Sequence, residues 1–314
     1  MNILITGGAG FLGSHLTRYL LEHGYSVEGV DNYAHPIADL AMHPKKPLDI
    51  DVAGEAWQTD HRLKDFVSGC DVIVHLAATI SVNLSVEKPE LAVRNNILGV
   101  LNVLEACRKN DLKMVYASSC EVYGSNQYAA VPMNERHPLN PQSPYGASKL
   151  AGEFLCRTYR KIYGLQVNVT RCFNFFGEMQ REDDYGAAIA IFTRRCLNGE
   201  SPVVFGDGYQ TRDYTYISDI VRAYDIAINN DFGDQPVNFC SGKETSINRL
   251  ADLIIKISGA NLKREYGPAR KWELRRSWGN ASQALREYGW KPEISLEEGL
   301  RKYVEWYRTT HQIL

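Results

Sequence analysis

The chain has 314 residues, 44% of them hydrophobic and 23% charged, and 35 basic against 37 acidic residues leave a net charge of -2. That length supports about two domains with a sizeable core, and the composition excludes a chain dominated by disorder. The balanced charge gives no broad basic footprint for nucleic acid, and no run of about 18 apolar residues marks a transmembrane helix.

Short apolar runs and longer amphipathic stretches alternate from the first residue on. Residues 2–6 read as a strand rather than a signal peptide, because a glycine follows a short apolar run with no charged segment before it. A helix over 11–23 and a strand over 26–30 come next. The stretch 35–47, with His43, reads as a loop near an adenosine. A strand over 72–76, a helix over 91–110, a strand over 113–117, a helix over 147–163 and a strand over 166–171 complete the first part. Their near-continuous apolar character suits strands covered on both faces, and the alternation predicts an α/β doubly wound parallel sheet of the Rossmann kind. From about residue 175 the regularity is lost. The stretch 199–212 reads as loop or short strand, and helices are expected over 247–258 and 296–309. The expected organisation is a dinucleotide-binding domain of residues 1–174 with a return segment near 216–242, and a smaller C-terminal α+β lobe of 175–215 and 243–314. No low-complexity linker separates them. The seven cysteines (70, 107, 120, 156, 172, 196, 240) are scattered, odd in number and never spaced as CxxC. They predict neither a zinc site nor a disulfide framework, and they suit a reducing cytoplasm.

Thr6-Gly7-Gly8-Ala9-Gly10-Phe11-Leu12-Gly13 joins the first strand to the first helix. Glycines at 7, 10 and 13 allow a sharp turn, a close approach to a pyrophosphate and tight helix packing, and the helix N-terminus faces the phosphates. Asp31 ends the second strand about 20 residues on, where a carboxylate accepts from both ribose hydroxyls and repels a 2′-phosphate, favouring NAD over NADP. Tyr145-Gly146-Ala147-Ser148-Lys149 sets a phenol and an ammonium on one helix face. The lysine charge is expected to lower the phenol pKa and make Tyr145 a base for a sugar hydroxyl. Ser119 stands at the carboxyl end of its strand, the edge where such sheets bind ligands.

The GxxGxxG spacing and the Ser119, Tyr145, Lys149 set resemble the extended short-chain dehydrogenase/reductase superfamily, specifically its NAD-dependent nucleotide-sugar epimerases and dehydratases, nearly end to end. The resemblance implies NAD contacts from Gly7, Gly10, Phe11, Leu12, Gly13, Asp31, Asn32, Asp49, Ile50, Leu76, Ala77, Ala78 and Asn96, besides Tyr145 and Lys149. It implies substrate contacts from Thr79, Ser119, Asn174, Phe205, Gln210, Arg212 and Arg270. Among these, Arg212 and Arg270 resemble the family's phosphate arginines and Phe205 is placed near the base. Arg275 and Arg276 are read as solvated, 181–184 as a solvated turn, Cys172 as packing, and His15 and His23 as surface or cap residues. No metal is expected.

Ser119 is followed by Cys120-Glu121. The family's simple 4-epimerases carry small nonpolar or hydroxylic residues there and its dehydratases Asp-Glu. The pair resembles the tunicamycin-type UDP-hexosamine 5,6-dehydratases of antibiotic biosynthesis. In that reading Tyr145 and NAD oxidise C4, Glu121 removes the C5 hydrogen, Cys120 protonates the departing C6 hydroxyl, and the hydride returns to C4. A UDP-sugar 4-epimerase and a 4,6-dehydratase are the alternatives. The same resemblance implies a homodimer built from the helices 91–110 and 147–163, which carry Val93, Ile97, Phe154 and Ile162 among other apolar residues.

Overall fold

The computed structural model describes residues 1–37, 46–125, 132–183 and 186–312. His43 and Asp184, and with them part of the expected adenosine loop and of the 181–184 turn, lie outside these. Among the described residues no helix is long and apolar enough to cross a membrane.

The strands are β1 (Asn2–Thr6), β2 (Ser26–Asp31), β3 (Leu48–Asp49), β4 (Val72–His75), β5 (Lys113–Ser119), β6 (Val167–Cys172), β7 (Asn174–Phe176), β8 (Val203–Phe205), β9 (Thr211–Tyr216), β10 (Val237–Phe239), β11 (Glu244–Ser246) and β12 (Glu265–Gly267). The helices are α1 (Phe11–Glu22), α2 (Ala56–Thr59), α3 (His61–Ser68), α4 (Val82–Glu87), α5 (Pro89–Val93), α6 (Gly99–Asn110), α7 (Pro144–Tyr163), α8 (Ala188–Leu197), α9 (Ile217–Asn229), α10 (Ile247–Ser258), α11 (Ser282–Tyr288) and α12 (Leu296–His311).

A seven-stranded sheet in the order β10-β6-β5-β4-β1-β2-β3 forms the Rossmann-like framework. The pairings from β3 through β6 are parallel. The order turns back between β1 and β4, and the carboxyl ends of the strands there open the crevice in which such sheets take ligands. Ile3, Leu4, Ile5, Ile73, Val74, Met114 and Val115 are all fully buried, which is why these strands read as continuous apolar runs.

The chain divides into two compact units, the first comprising Met1–Val122, Ser143–Cys172 and Val221–Val237, the second Tyr123–Gln142, Phe173–Ile220 and Asn238–Leu314. The described residues of 123–142, counted with the first domain on sequence grounds, cluster with the second. In unit 2 a small sheet runs β11-β9-β7, with β7 and β9 parallel and β9 and β11 antiparallel, and α8, α10 and α12 pack together.

The stretch 91–110, read as one helix, is three pieces: α5, a π-helical turn over Arg94–Leu98, and α6. One wide turn shifts the phase of the helix, and a 3.6-residue periodicity carries no sign of it. Helix α7 begins earlier than the apolar pattern indicates. Ser143 caps it by accepting from the Gly146 N–H at 3.0 Å, Pro144 takes the first turn, and Gly164 closes it in the left-handed region.

Candidate active site

Unit 1 carries the glycine-rich turn. Gly7 has φ +72°, and a Cβ on Gly13 would lie 2.2 Å from the Gly7 carbonyl oxygen, so only hydrogen fits where α1 meets the turn. The N-terminus of α1 has neither a side-chain cap nor an acidic residue in its first turn, which leaves it suited to an anion. Phe11 opens that helix and Leu12 is buried on it. Asp31 is buried at the end of β2, accepting from the Ala9 N–H at 3.0 Å and the Tyr33 N–H at 2.7 Å. These features fit the pyrophosphate and ribose of a dinucleotide. Asn32 follows in an exposed turn, Asp49 is exposed, and Ile50 is buried with its N–H on the Asp31 carbonyl.

Asn96 is where the π-helical turn acts. Its amide donates to the Thr79 carbonyl at 3.0 Å and to the Ser148 hydroxyl at 2.9 Å, and its carbonyl accepts from the Thr79 N–H at 2.7 Å. Asn96 thereby ties the segment Leu76-Ala77-Ala78-Thr79 beyond β4 to α7. Ser148, the second half of this tie, is not singled out by sequence.

The phenol, the ammonium and the serine come together. The Tyr145 hydroxyl is hydrogen-bonded to Ser119, and both Glu121 and Cys120 stand close enough to act on it electrostatically. The Glu121 N–H donates to the Ser119 hydroxyl at 3.2 Å. Lys149 is buried with its Nζ 5.9 Å from the Tyr145 ring centre, and it donates to the Ala117 carbonyl at 2.8 Å. The expected lowering of the Tyr145 pKa is not what the protein alone produces. Burial pushes the phenol well above its ordinary value, the Ser119 hydroxyl opposes this, and Glu121 and Cys120 add to it. Burial likewise pushes the Lys149 ammonium down to about 8. His75, behind Lys149, is pushed down to about 3 by burial, and its Nδ1 lies 2.7 Å from the Thr6 hydroxyl.

Three further residues brace this face, and sequence reasoning misses them. Glu153 accepts from Arg171 and from Ser118, in a buried cluster joining α7 to β5 and β6. The YxxxK motif continued by another i+4 step points to Glu153, but nothing local reveals Arg171 as its partner.

Unit 2 holds the other expected residues. Asn174 starts β7, and its amide nitrogen is buried with no hydrogen-bond partner among the described residues, an unmet donor such as a ligand oxygen satisfies. Gln210 is buried and ties the loop to the Phe205 carbonyl at 2.8 Å. The Arg270 guanidinium lies 4.1 Å from the centre of the Phe205 ring, a cation–π pairing. Arg212 forms an ion pair with Glu273 and donates to the Thr211 and Leu274 carbonyls, so any anion has to compete with Glu273. Arg276 is not solvated as expected, since it forks onto Glu244 and lies 4.4 Å from the Trp278 ring centre. Arg275 is exposed but paired with Asp207. Asp213, beside Arg212, accepts from Ser241, Gly242 and Gly279, and burial pushes its carboxyl up to about 6 against those donors.

A family profile described as GDP-mannose 4,6 dehydratase matches residues 4–303. The UDP-glucose 4-epimerase of Mycolicibacterium smegmatis is 37% identical over 318 residues, covering 99% of this chain and all of that one. The chain belongs to the extended short-chain dehydrogenase/reductases, in their nucleotide-sugar epimerase and dehydratase family. It is an enzyme of the NAD-dependent kind. The structure of UDP-glucose 4-epimerase from Thermotoga maritima with UDP-glucose superposes with a TM-score of 0.92 at 35% identity, covering 99% of this chain and all of that one. DesIV, the dTDP-glucose 4,6-dehydratase of Streptomyces venezuelae solved with NAD, superposes at 0.89 with 27% identity, covering 99% and 98%.

Proposed function

We propose that the chain oxidises C4 of a UDP-linked hexose with NAD and returns the hydride to that same carbon, with 4-epimerisation as the outcome. The carrying observation is the Tyr145 phenol, hydrogen-bonded to Ser119 and placed with Lys149 on one face of α7, in a chain whose relatives include UDP-glucose 4-epimerases at 35–37% identity. When bound, NAD accepts the hydride from C4 and gives it back. Gly7, Gly10, Phe11, Leu12 and Gly13 cradle its pyrophosphate, Asp31 and Asn32 its ribose, Asp49 and Ile50 its adenine. Leu76, Ala77, Ala78 and Asn96 line the remaining wall.

Ser119 and Tyr145 orient the C4 hydroxyl, and Tyr145 takes its proton as the hydride leaves. The Lys149 ammonium stabilises the phenolate, and the burial that raises the phenol pKa also strengthens the attraction between the phenolate and each nearby positive charge. Tyr145 returns the proton when C4 is reduced. Inversion requires the 4-keto sugar to turn its other face while the nucleotide stays fixed. We assign that anchoring to Asn174, Phe205, Gln210, Arg212 and Arg270, with Arg212 exchanging Glu273 for the diphosphate as a planar fork, and we assign Thr79 to the sugar.

A second reading, a UDP-hexosamine 5,6-dehydratase, is favoured by Glu121 and Cys120, both close enough to act electrostatically on the Tyr145 phenol. C4 oxidation acidifies the C5 hydrogen, and Glu121 removes it as a proton. The Cys120 thiol gives its proton to the C6 hydroxyl, which leaves as water, and the hydride returns to C4 to leave a 5,6-alkene. Both readings end with hydride on C4. Proton NMR of the product from UDP-glucose and UDP-N-acetylglucosamine tests them. An inverted C4 supports the first, vinyl signals the second, and a 6-methyl group contradicts both.

We also propose a homodimer through α5, α6 and α7. Val100 and Leu104 of this helix pair are core residues, whereas Val93, Leu98, Phe154, Ile162 and Tyr163 are exposed, an apolar set of the kind that marks an interface.

A further inference from the structure

Tyr145, Lys149 and Glu153 follow one another at intervals of four, so they share one face of α7. The Glu153 carboxylate accepts from Arg171 Nε at 2.8 Å and from its terminal nitrogen at 2.5 Å, and it also accepts from the Ser118 hydroxyl. Arg171 on β6 stands opposite Ser118 on β5 in the sheet register, one residue before Ser119 and Cys172. The side chains of Arg171 and Glu153 are only 4% and 9% exposed. At that depth desolvation opposes the pair, and a well-packed apolar substitute often stabilises a fold equally well, so stability alone gives little reason for its presence. The cluster counts two cations, Lys149 and Arg171, against one carboxylate.

We propose that Glu153 is a positioning residue that acts on Tyr145, Lys149 and Ser119 through Arg171 and Ser118 without touching the substrate. The inference rests on the C4-oxidation reading given above. Glu153 fixes the helix face bearing the phenol and ammonium against the strand end bearing the serine. Among the described residues it is also the carboxylate that acts on Lys149. Around that ammonium stand Tyr145, Glu153 and Cys156 from α7, the Tyr116 ring from β5 and His75 from β4. Burial pushes Lys149 down to about 8, and Cys156 and Glu153 oppose that push.

The experiment compares wild type, Glu153→Gln, Glu153→Asp and the double variant Glu153→Gln/Arg171→Met, using UDP-glucose and UDP-N-acetylglucosamine as probes. The double variant removes the Arg171 charge together with its Glu153 partner, so Arg171 is not left buried and unpaired, which separates folding from chemistry. Expected are KM values near wild type in all three variants and kcat lowered at least about tenfold in the Gln variant and the double variant, partly restored in the Asp variant. In Glu153→Gln the alkaline limb of the pH–rate profile is expected to move to lower pH, because the carboxylate that favours the ammonium is gone. A double variant with wild-type kcat overturns the proposal, and so does one that fails to fold, since the role is then structural. Failure of the underlying reading looks different: wild type itself then gives no NADH absorbance transient with either sugar.

Discussion

The Tyr145 phenol and the Lys149 ammonium are both buried, and burial works against charge in each. For Lys149 the consequence has a defined sign. Its folded-state pKa of about 8 lies below the unfolded value of about 10.4, so the ammonium costs stability below pH 8, and that cost is relieved as pH rises from about 8 towards 10.4. Lys149→Met is therefore expected to gain about 1–2 kcal/mol at neutral pH in urea unfolding while losing nearly all turnover. A Met variant less stable than wild type at pH 7 would contradict this. The same ammonium predicts that wild-type kcat falls as pH rises through about 8, measured with saturating UDP-sugar. Tyr145→Phe is expected to suppress the NADH absorbance transient by about 10²-fold or more. For Glu121→Gln the two readings diverge: a 4-epimerase keeps its turnover, whereas a 5,6-dehydratase loses solvent exchange at C5 but still reduces NAD.

At the scale of elements, α7 lies against β5 closely enough that a side chain is excluded. A Cβ on Gly152 would lie 2.2 Å from the Tyr116 hydroxyl and 2.7 Å from its Cζ, and that hydroxyl donates to the Lys149 carbonyl at 3.2 Å. Alanine gains up to about 1 kcal/mol in helix propensity, but overpacking costs about 1–3 kcal/mol, so Gly152→Ala is expected to destabilise. Thermal unfolding checks this, and Gly152→Ala/Tyr116→Phe is expected to recover part of the loss because the hydroxyl that clashes is gone. The strands β1, β2, β4, β5 and β6 and the helices α1, α7, α10 and α12 are legible in the sequence because their apolar residues recur at a fixed period over several turns or fill a run buried on both faces, whereas the two-residue β3 is too short to read. The short helices α2 and α4 are too brief to show a period, and the π-helical turn that aims Asn96 alters phase by a single residue. The site divides in the same way. Gly7, Asp31, Ser119, Tyr145 and Lys149 follow from local spacing, whereas the partners of Glu153, Arg212 and Arg276 depend on sheet register and on segments remote in sequence.

For the whole molecule, two phosphate-type arginines are accounted for differently in unit 2: Arg212 is bonded to Glu273, and Arg270 lies on the Phe205 ring. If Arg212 exchanges partners for the diphosphate, Glu273→Gln is expected to lower the KM for a UDP-sugar several-fold with little change in kcat, and a raised KM would contradict the exchange. The homodimer reading predicts that Phe154→Glu/Ile162→Glu yields a monomer in light scattering at micromolar concentration. The central claim is that hydride leaves C4 and comes back to C4. A UDP-hexose deuterated at C4 tests it most directly, with the turned-over product read by deuterium and proton NMR. The account predicts full label on C4 of the product, whether the ring is epimerised or carries a 5,6-alkene. Label on C6, or label lost to solvent, would contradict it.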